Sequence, residues 1–296
     1  MSHRVQFDFE IDFTNGGGIQ GRDFRLDIAG NDISDRDLAD HLIADLRLLM
    51  VGAVRIRNKR IIVEPHKRKA IHSASAAQTR YVDLSQVVAN GTVSHRGLPA
   101  PIICDYLSRE ASRSRYATGT EFHIAGIEMV VNTGTYLDCP FHRFADGQDF
   151  TQIALDRFAD LDAVVVRAAH GGSPAIGADA FRGLELRGRA VLVHSGWDRH
   201  WGSDAYLGEH PFLTEDAAIC LRDSGAALVG IDSMNIDDTR GNARPVHTVL
   251  LGAGILIAEH LCNLGNVPDD GFAFSAVPAK FKGVGTFPVR AMARLR

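Results

Sequence analysis

The sequence predicts an α/β protein in two parts: a large α/β domain from Tyr81 onward, preceded by a small ββαββ unit. Three observations predict this. The chain has 296 residues, more than one minimal domain needs and enough for a large domain plus a small one. Residues 1–65 open with two-residue alternation and then change to helical spacing. After Tyr81, apolar runs of strand length alternate irregularly with short helical patterns.

The first element is the clearest. Val5, Phe7, Phe9, Ile11 and Phe13 alternate with Arg4, Gln6, Asp8, Glu10 and Asp12, the pattern of a half-buried strand. Asn15-Gly16-Gly17-Gly18 follows, and Phe24, Leu26 and Ile28 alternate again, so the pair reads as a hairpin. Asp32 or Ser34 can cap a helix running to about Met50, with Leu38, Leu42, Ile43, Leu46 and Leu49 at helical spacing. A second hairpin is expected from Val54 and Ile56, a turn at Asn58-Lys59, and Ile61 to Val63. Residues 66–80 are basic, then rich in Ala and Ser, and read as a linker. Residues 53–69 hold seven basic side chains (Arg55, Arg57, Lys59, Arg60, Lys67, Arg68, Lys69) against Glu64 alone. No aromatic residue interleaves them, so a solvated face is expected rather than a nucleic-acid surface.

In the larger domain, strands are predicted at Glu128–Val131, Ala163–Arg167, Ala190–His194, Ala227–Ile231 and Ala273–Val277. Helices are predicted near Ile153–Phe158, Thr214–Asp223 and His247–Leu251. The GxGxxG match at Gly16–Gly21 lies in a hairpin connection and opens no helix, and no GxxxxGK[ST] occurs, which argues against nucleotide cofactors. A hydrophobic fraction of 45% allows a substantial core, while a net charge of −4 gives no general attraction to nucleic acid or anionic membrane. Cys104, Cys139, Cys220 and Cys262 form no CxxC pair and suggest no disulfide framework. The first residues do not read as a signal peptide, and the apolar stretch 250–258 is too short to span a bilayer. A cytoplasmic protein is expected.

The chemistry concentrates in Asn132-Thr133-Gly134-Thr135-Tyr136-Leu137-Asp138-Cys139-Pro140-Phe141-His142, which follows an apolar run. Asp138 and His142 stand four apart, and a carboxylate and an imidazole this close can share a metal or relay a proton. On its own, such a pair in a loop is more often structural than catalytic.

This stretch resembles the signature of the cyclase family, which includes bacterial kynurenine formamidases and isatin hydrolases: His-x-Gly-Thr-His-x-Asp-x-Pro-x-His. Gly134, Thr135, Asp138, Pro140 and His142 match in register. The resemblance continues through Ser195-Gly196-Trp197-Asp198, Gly230-Ile231-Asp232-Ser233, His247, Leu250-Leu251, Glu259 and Asn263-Leu264. It ends with Ala276-Val277-Pro278, Gly283, Gly285 and Pro288-Val289-Arg290, and so spans about residues 81–296. It implies a β-barrel-like core with peripheral helices and a site at its rim. It further implies Asp138, His247 and Glu259 as metal ligands and His142 as general acid/base.

Two positions depart from the signature: Asn132 and Tyr136 stand where the family has metal-binding histidines. Both are poor zinc ligands, so a two-metal centre is not expected. Two arrangements stay open. One divalent metal, zinc or manganese, can sit on Asp138, His247 and Glu259. Alternatively, a metal-free site can use Tyr136 and Asn132 as donors to a developing oxyanion. Thr135 is expected to shape the loop and, with Asn132, to bind substrate, and Trp197 to wall an aromatic substrate pocket or pack in the core. Cys139 is expected to pack rather than react, and the remaining histidines, His260 among them, to be structural. The function implied is hydrolysis of an amide or formamide C–N bond, or opening of a cyclic amide, by a homodimer or homotetramer acting on a small molecule. A non-catalytic binding or regulatory protein on the same scaffold is the alternative.

Overall fold

The computed structural model describes residues 2–28, 30–46, 48, 50–64, 80–168 and 173–295. The chain divides into two compact units, Met1–Gln78 and Thr79–Arg296. The stretch expected as a linker, with Lys67, Arg68 and Lys69, falls almost wholly outside the described residues, as does Leu49.

In the first unit the alternation becomes strand β1 (Ser2–Phe13), paired antiparallel with β2 (Gly18–Ile28). Helix α1 (Asp35–Asp45) begins at Ser34, whose hydroxyl accepts from the Asp37 N–H at 3.1 Å. Val5, Phe7, Phe9 and Ile11 turn one face of β1 onto Leu38 and Leu42 of α1. The expected second hairpin does not form. Residues 51–64 make one long strand, β3 (Val51–Glu64), and the sheet order is β2-β1-β3, so the unit is ββαβ. Asn58-Lys59 is a bulge, not a turn: the register jumps from Gln6↔Arg60 to Asp8↔Arg57, with Asn58 at φ 52°. Asp23, also at φ 52°, makes a matching bulge in β2. Both face Asp8, whose carboxylate accepts from the Asp23 N–H at 2.8 Å and from Asn58 Nδ2 at 2.7 Å. The described basic residues pair with acids: Arg55 with Asp12 at 2.6 Å, Arg57 with Glu10 at 3.5 Å.

The second unit contains β4 (Tyr81–Asp83), β5 (Ile102–Leu107), α2 (Arg109–Ser112), β6 (Ile124–Glu128), β7 (Tyr136–Asp138) and α3 (Pro140–Arg143). It continues with β8 (Leu161–Arg167), β9 (Ala175–Ile176), β10 (Ala190–His194), β11 (Phe212–Leu213), α4 (Glu215–Asp223) and β12 (Leu228–Ile231). The last elements are α5 (Pro245–Gly252), β13 (Leu256–Glu259), β14 (Phe272–Ser275), β15 (Thr286–Pro288) and β16 (Met292–Leu295). The strand expected at Glu128–Val131 lies earlier, as β6, where it pairs with β5 in a separate hairpin. The helix expected near Ile153 is only a 3-10 turn, Leu155–Arg157.

Nine strands form one sheet in the order β15-β7-β13-β12-β10-β8-β14-β16-β4. Its centre, β13-β12-β10-β8, is parallel, and both flanks are antiparallel. Connectivity forces it to curl. Strand β15 is first in that order and β16 is eighth, yet residues 289–291 alone join them. Seven strand spacings laid flat would span roughly 34 Å, whereas the four steps from Pro288 to Met292 reach at most about 14 Å. The sheet is therefore a half-barrel. One cluster fills its concave face with residues from both ends, Leu137 and Phe287 meeting Val82 and Ala293. On the convex face, Val191, Val193, Val229 and Ile231 pack against Ala217 and Leu221 of α4 and Val246 and Leu250 of α5. Among the described residues no helix is long and apolar enough to cross a membrane.

Candidate active site

Strand β7 is hydrogen-bonded between β13 and β15, and register determines what its side chains meet. Tyr136 lies opposite Glu259 on β13, and Asp138 lies opposite Thr286 on β15. Residues two apart share a face, so Tyr136 and Asp138 project the same way with their partners beside them. The Tyr136 hydroxyl donates to Glu259 Oε2, and the Thr286 hydroxyl donates to Asp138 Oδ1. All four are buried.

The chain after Asp138 turns at once into α3, with Pro at its first position and His142 one turn on. His142 Nδ1 lies 2.7 Å from Thr286 Oγ1 and 3.9 Å from Asp138 Oδ1. Gly285 makes this approach possible, since a Cβ there would fall 2.3 Å from the His142 backbone nitrogen. His247 comes from α5. Asp237, on the loop after β12, accepts from the Val246 N–H at 2.8 Å and the His247 N–H at 3.0 Å, and so caps α5 from a distance. The same carboxylate takes His247 Nδ1 at 2.6 Å. A carboxylate only accepts, so Nδ1 carries the proton and Nε2 faces inward. There it lies 3.7 Å from Asp138 Oδ2 and 3.7 Å from Glu259 Oε1.

Asp138 Oδ2 is the telling atom. It is buried, with no hydrogen-bond partner among the described residues. An unpaired buried carboxylate oxygen costs several kcal/mol unless a cation neutralises it. Donor atoms of Asp138, His142 and His247 all lie within 4.8 Å of one another. Two ligands about 2.1 Å from a tetrahedral ion stand roughly 3.4 Å apart, close to the separations around His247 Nε2. The donor set therefore fits one divalent cation. Glu259 Oε1, 3.7 Å from His247 Nε2, is a further candidate donor, since it accepts from the Ile236 N–H at 2.6 Å and keeps a second lone pair, while Oε2 accepts from Tyr136.

The electrostatics are those of a crowded buried anionic site. Burial and the neighbouring Asp138 charge raise Glu259 above the usual carboxylate range, against the opposing pull of His247. Burial would lower His247, but Asp138, Asp237 and Glu259 together raise it, the pull of carboxylates that no other cation among the described residues neutralises. Burial, with Glu259 and Asp138, pushes the Tyr136 phenol well above its usual value, so it remains a neutral donor. Burial raises the Cys139 thiol to about 11, which suits a packing residue rather than a nucleophile.

His142 and His247, with ring centroids 5.9 Å apart, open onto a cleft of about 610 Å³ whose walls include Arg143, Glu215, Asn235 and Arg244. Of the residues predicted for the site, Asp138, His142, His247, Glu259 and Tyr136 are thus brought together. Asn132, half-buried, lies by the Tyr136 phenol and opposes the rise that burial gives it. Thr135 and Trp197 do not line that cleft. The Thr135 hydroxyl donates to the His260 carbonyl at 2.6 Å and accepts from the Gln86 N–H at 2.9 Å, so it supports the loop. Trp197 lines a different cavity, of about 580 Å³, with Arg167, Ser195 and Arg199, and its indole N–H is held by the Tyr206 carbonyl at 3.1 Å. Sequence reading missed Asp237 and Thr286. The signal for Thr286 was its place beside Gly285; Asp237 had only the polar run after a strand.

Residues 82–238, more than half the chain, match the Cyclase family model, described as "Putative cyclase". The chain belongs to the cyclase family. Among relatives of this cyclase is the kynurenine formamidase of Salinibacter ruber, 32% identical over 180 residues, covering 58% of this chain and 80% of that protein. Isatin hydrolase A from Ralstonia solanacearum has the same fold, with a TM-score of 0.66 at 23% identity over 79% of this chain and 99% of that one. A predicted metal-dependent hydrolase from Bacillus stearothermophilus, 26% identical, superposes with a TM-score of 0.59 over 74% of this cyclase and all of its own chain.

Proposed function

We propose that this cyclase is an amidohydrolase that cleaves an amide or formamide C–N bond, or opens a related cyclic amide, at a single divalent-metal site. The observation that carries the reading is Asp138 Oδ2, buried and unpartnered, facing His247 Nε2 beside His142 at the cleft. Kinship with a kynurenine formamidase supports the C–N bond as the target. Asp138, His247 and Glu259 would hold the ion. When bound, it supplies Lewis acidity toward the carbonyl and toward water.

The other roles belong to side chains of this chain. His142, the most exposed of the group, takes a proton from the attacking water and returns it to the leaving nitrogen. Asp237 orients His247. Tyr136 holds the outer oxygen of Glu259 with its only proton, and with Asn132 occupies the positions of the family's two signature histidines. That commitment favours the one-metal arrangement over one in which Tyr136 donates to an oxyanion. Bound zinc or manganese near one per chain, lost in Asp138→Ala, is expected. So is turnover of N-formyl arylamines or isatin-type cyclic amides that His142→Ala abolishes. Turnover undiminished in His142→Ala would overturn the proposal.

A further inference from the structure

We propose that Thr286 is a positioning residue that fixes His142 in the Nδ1–H tautomer and leaves the Nε2 lone pair for the cleft. The inference rests on the function proposed above, in which Asp138 is an ionised ligand and His142 the base.

Thr286 Oγ1 touches two groups, Asp138 Oδ1 and, at 2.7 Å, His142 Nδ1. A hydroxyl has one proton to give. An ionised Asp138 only accepts, so that proton goes to Oδ1. The threonine oxygen can then meet His142 Nδ1 only as an acceptor, and Nδ1 must carry hydrogen. In neutral imidazole the other nitrogen holds the lone pair, so Nε2 becomes the atom that takes a proton. Were Asp138 protonated, the same three atoms would run the other way and leave Nε2 with the hydrogen, unable to act as base.

The backbone leaves Thr286 little freedom. It is 1% exposed, paired directly with Asp138 across β15 and β7, and held near α3 by the Gly285 contact. The arrangement parallels Asp237 and His247: in both imidazoles Nδ1 is tied down and Nε2 is left free. One hydroxyl thus orients the ligand Asp138 and sets the protonation of the base.

The test reads the tautomer directly, in the full-length zinc-loaded protein labelled with 15N-histidine, by long-range proton–nitrogen correlation. His142 is assigned by its loss in His142→Asn. Wild type is expected to show Nδ1 protonated and Nε2 bare. Thr286→Val, similar in shape but without the hydroxyl, should lose that signature, with kcat falling about tenfold to a hundredfold and KM little changed. Thr286→Ser should restore both. A wild-type His142 protonated at Nε2, or an unchanged tautomer in Thr286→Val, would overturn the proposal. If the valine variant does not fold, the wild-type and serine spectra still decide. The spectrum is taken without substrate, so failure here is distinct from failure to find amide turnover.

Discussion

Asp237→Ala should damage the fold and the metal site together, through separable contacts. Asp237 is fully buried and accepts three hydrogen bonds, from the Val246 and His247 N–H groups and from His247 Nδ1. Loss of a helix cap costs about 0.5–2 kcal/mol. Loss of a buried bond to a charged group costs about 1.5–3 kcal/mol. Together these predict roughly 2–5 kcal/mol, which for a unit of this size lowers Tm by roughly 6–15 °C. The measurement is urea unfolding of metal-stripped wild type and variant. The second effect is on affinity: with its Nδ1 anchor gone, His247 loses both its tautomer and its orientation, and zinc binding should weaken about tenfold to a hundredfold. A competition titration with a chromophoric chelator measures it. Asp237→Asn keeps one cap acceptor and should recover part of the stability but less of the affinity. Zinc affinity within about twofold of wild type in Asp237→Ala would refute the reasoning, because His247 would then need no anchor or would not be a ligand.

Three further outcomes are expected. The double variant Asn132→His/Tyr136→His should free Glu259 Oε2 and raise metal content from about one to about two per chain, read by elemental analysis. Burial lowers His260 to about 3, so between pH about 6 and pH about 4 the unfolded chain takes up a proton that the folded one refuses, and stability falls by up to about 1.4 kcal/mol per pH unit. His260→Asn, which tolerates the φ of 57°, should flatten that slope in urea midpoints measured across the range. Gly285→Ala drives a Cβ into the His142 backbone and should cost about 1–3 kcal/mol in unfolding experiments, with activity lost through displacement of α3.

Legibility in the sequence followed distance along the chain. Asp138 and His142 fall within one turn of each other, and a short signature displayed them. The alternation of β1 gave its strand and its buried face. Asn58-Lys59 misled because a residue that tolerates positive φ serves a tight turn and a bulge equally well; only the pairing of β3 along β1 distinguishes them. Thr286 stands 148 residues from Asp138 and meets it solely through strand register. Periodicity cannot supply that register, because the three-residue strands β7 and β15 are too short to show one. Trp197 follows a strand end as expected, but which of two cavities it faces depends on how the loops close over the rim.

The paired bulges around Asp8 bear on how the small sheet behaves toward other molecules. With β1 in the middle, β2 and β3 are the outer strands of this sheet among the described residues, and an outer strand left uncovered invites a stranger's strand to zip on. Each border is interrupted part-way by a residue in left-handed conformation, Asp23 on one side and Asn58 on the other. A foreign strand could follow either ladder for only a few residues before the hydrogen-bonding groups fell out of step. One acidic side chain in the middle strand, holding both interruptions in place, thus protects both flanks from fibril-like growth. Replacing it would expose that hazard before it visibly weakened the core.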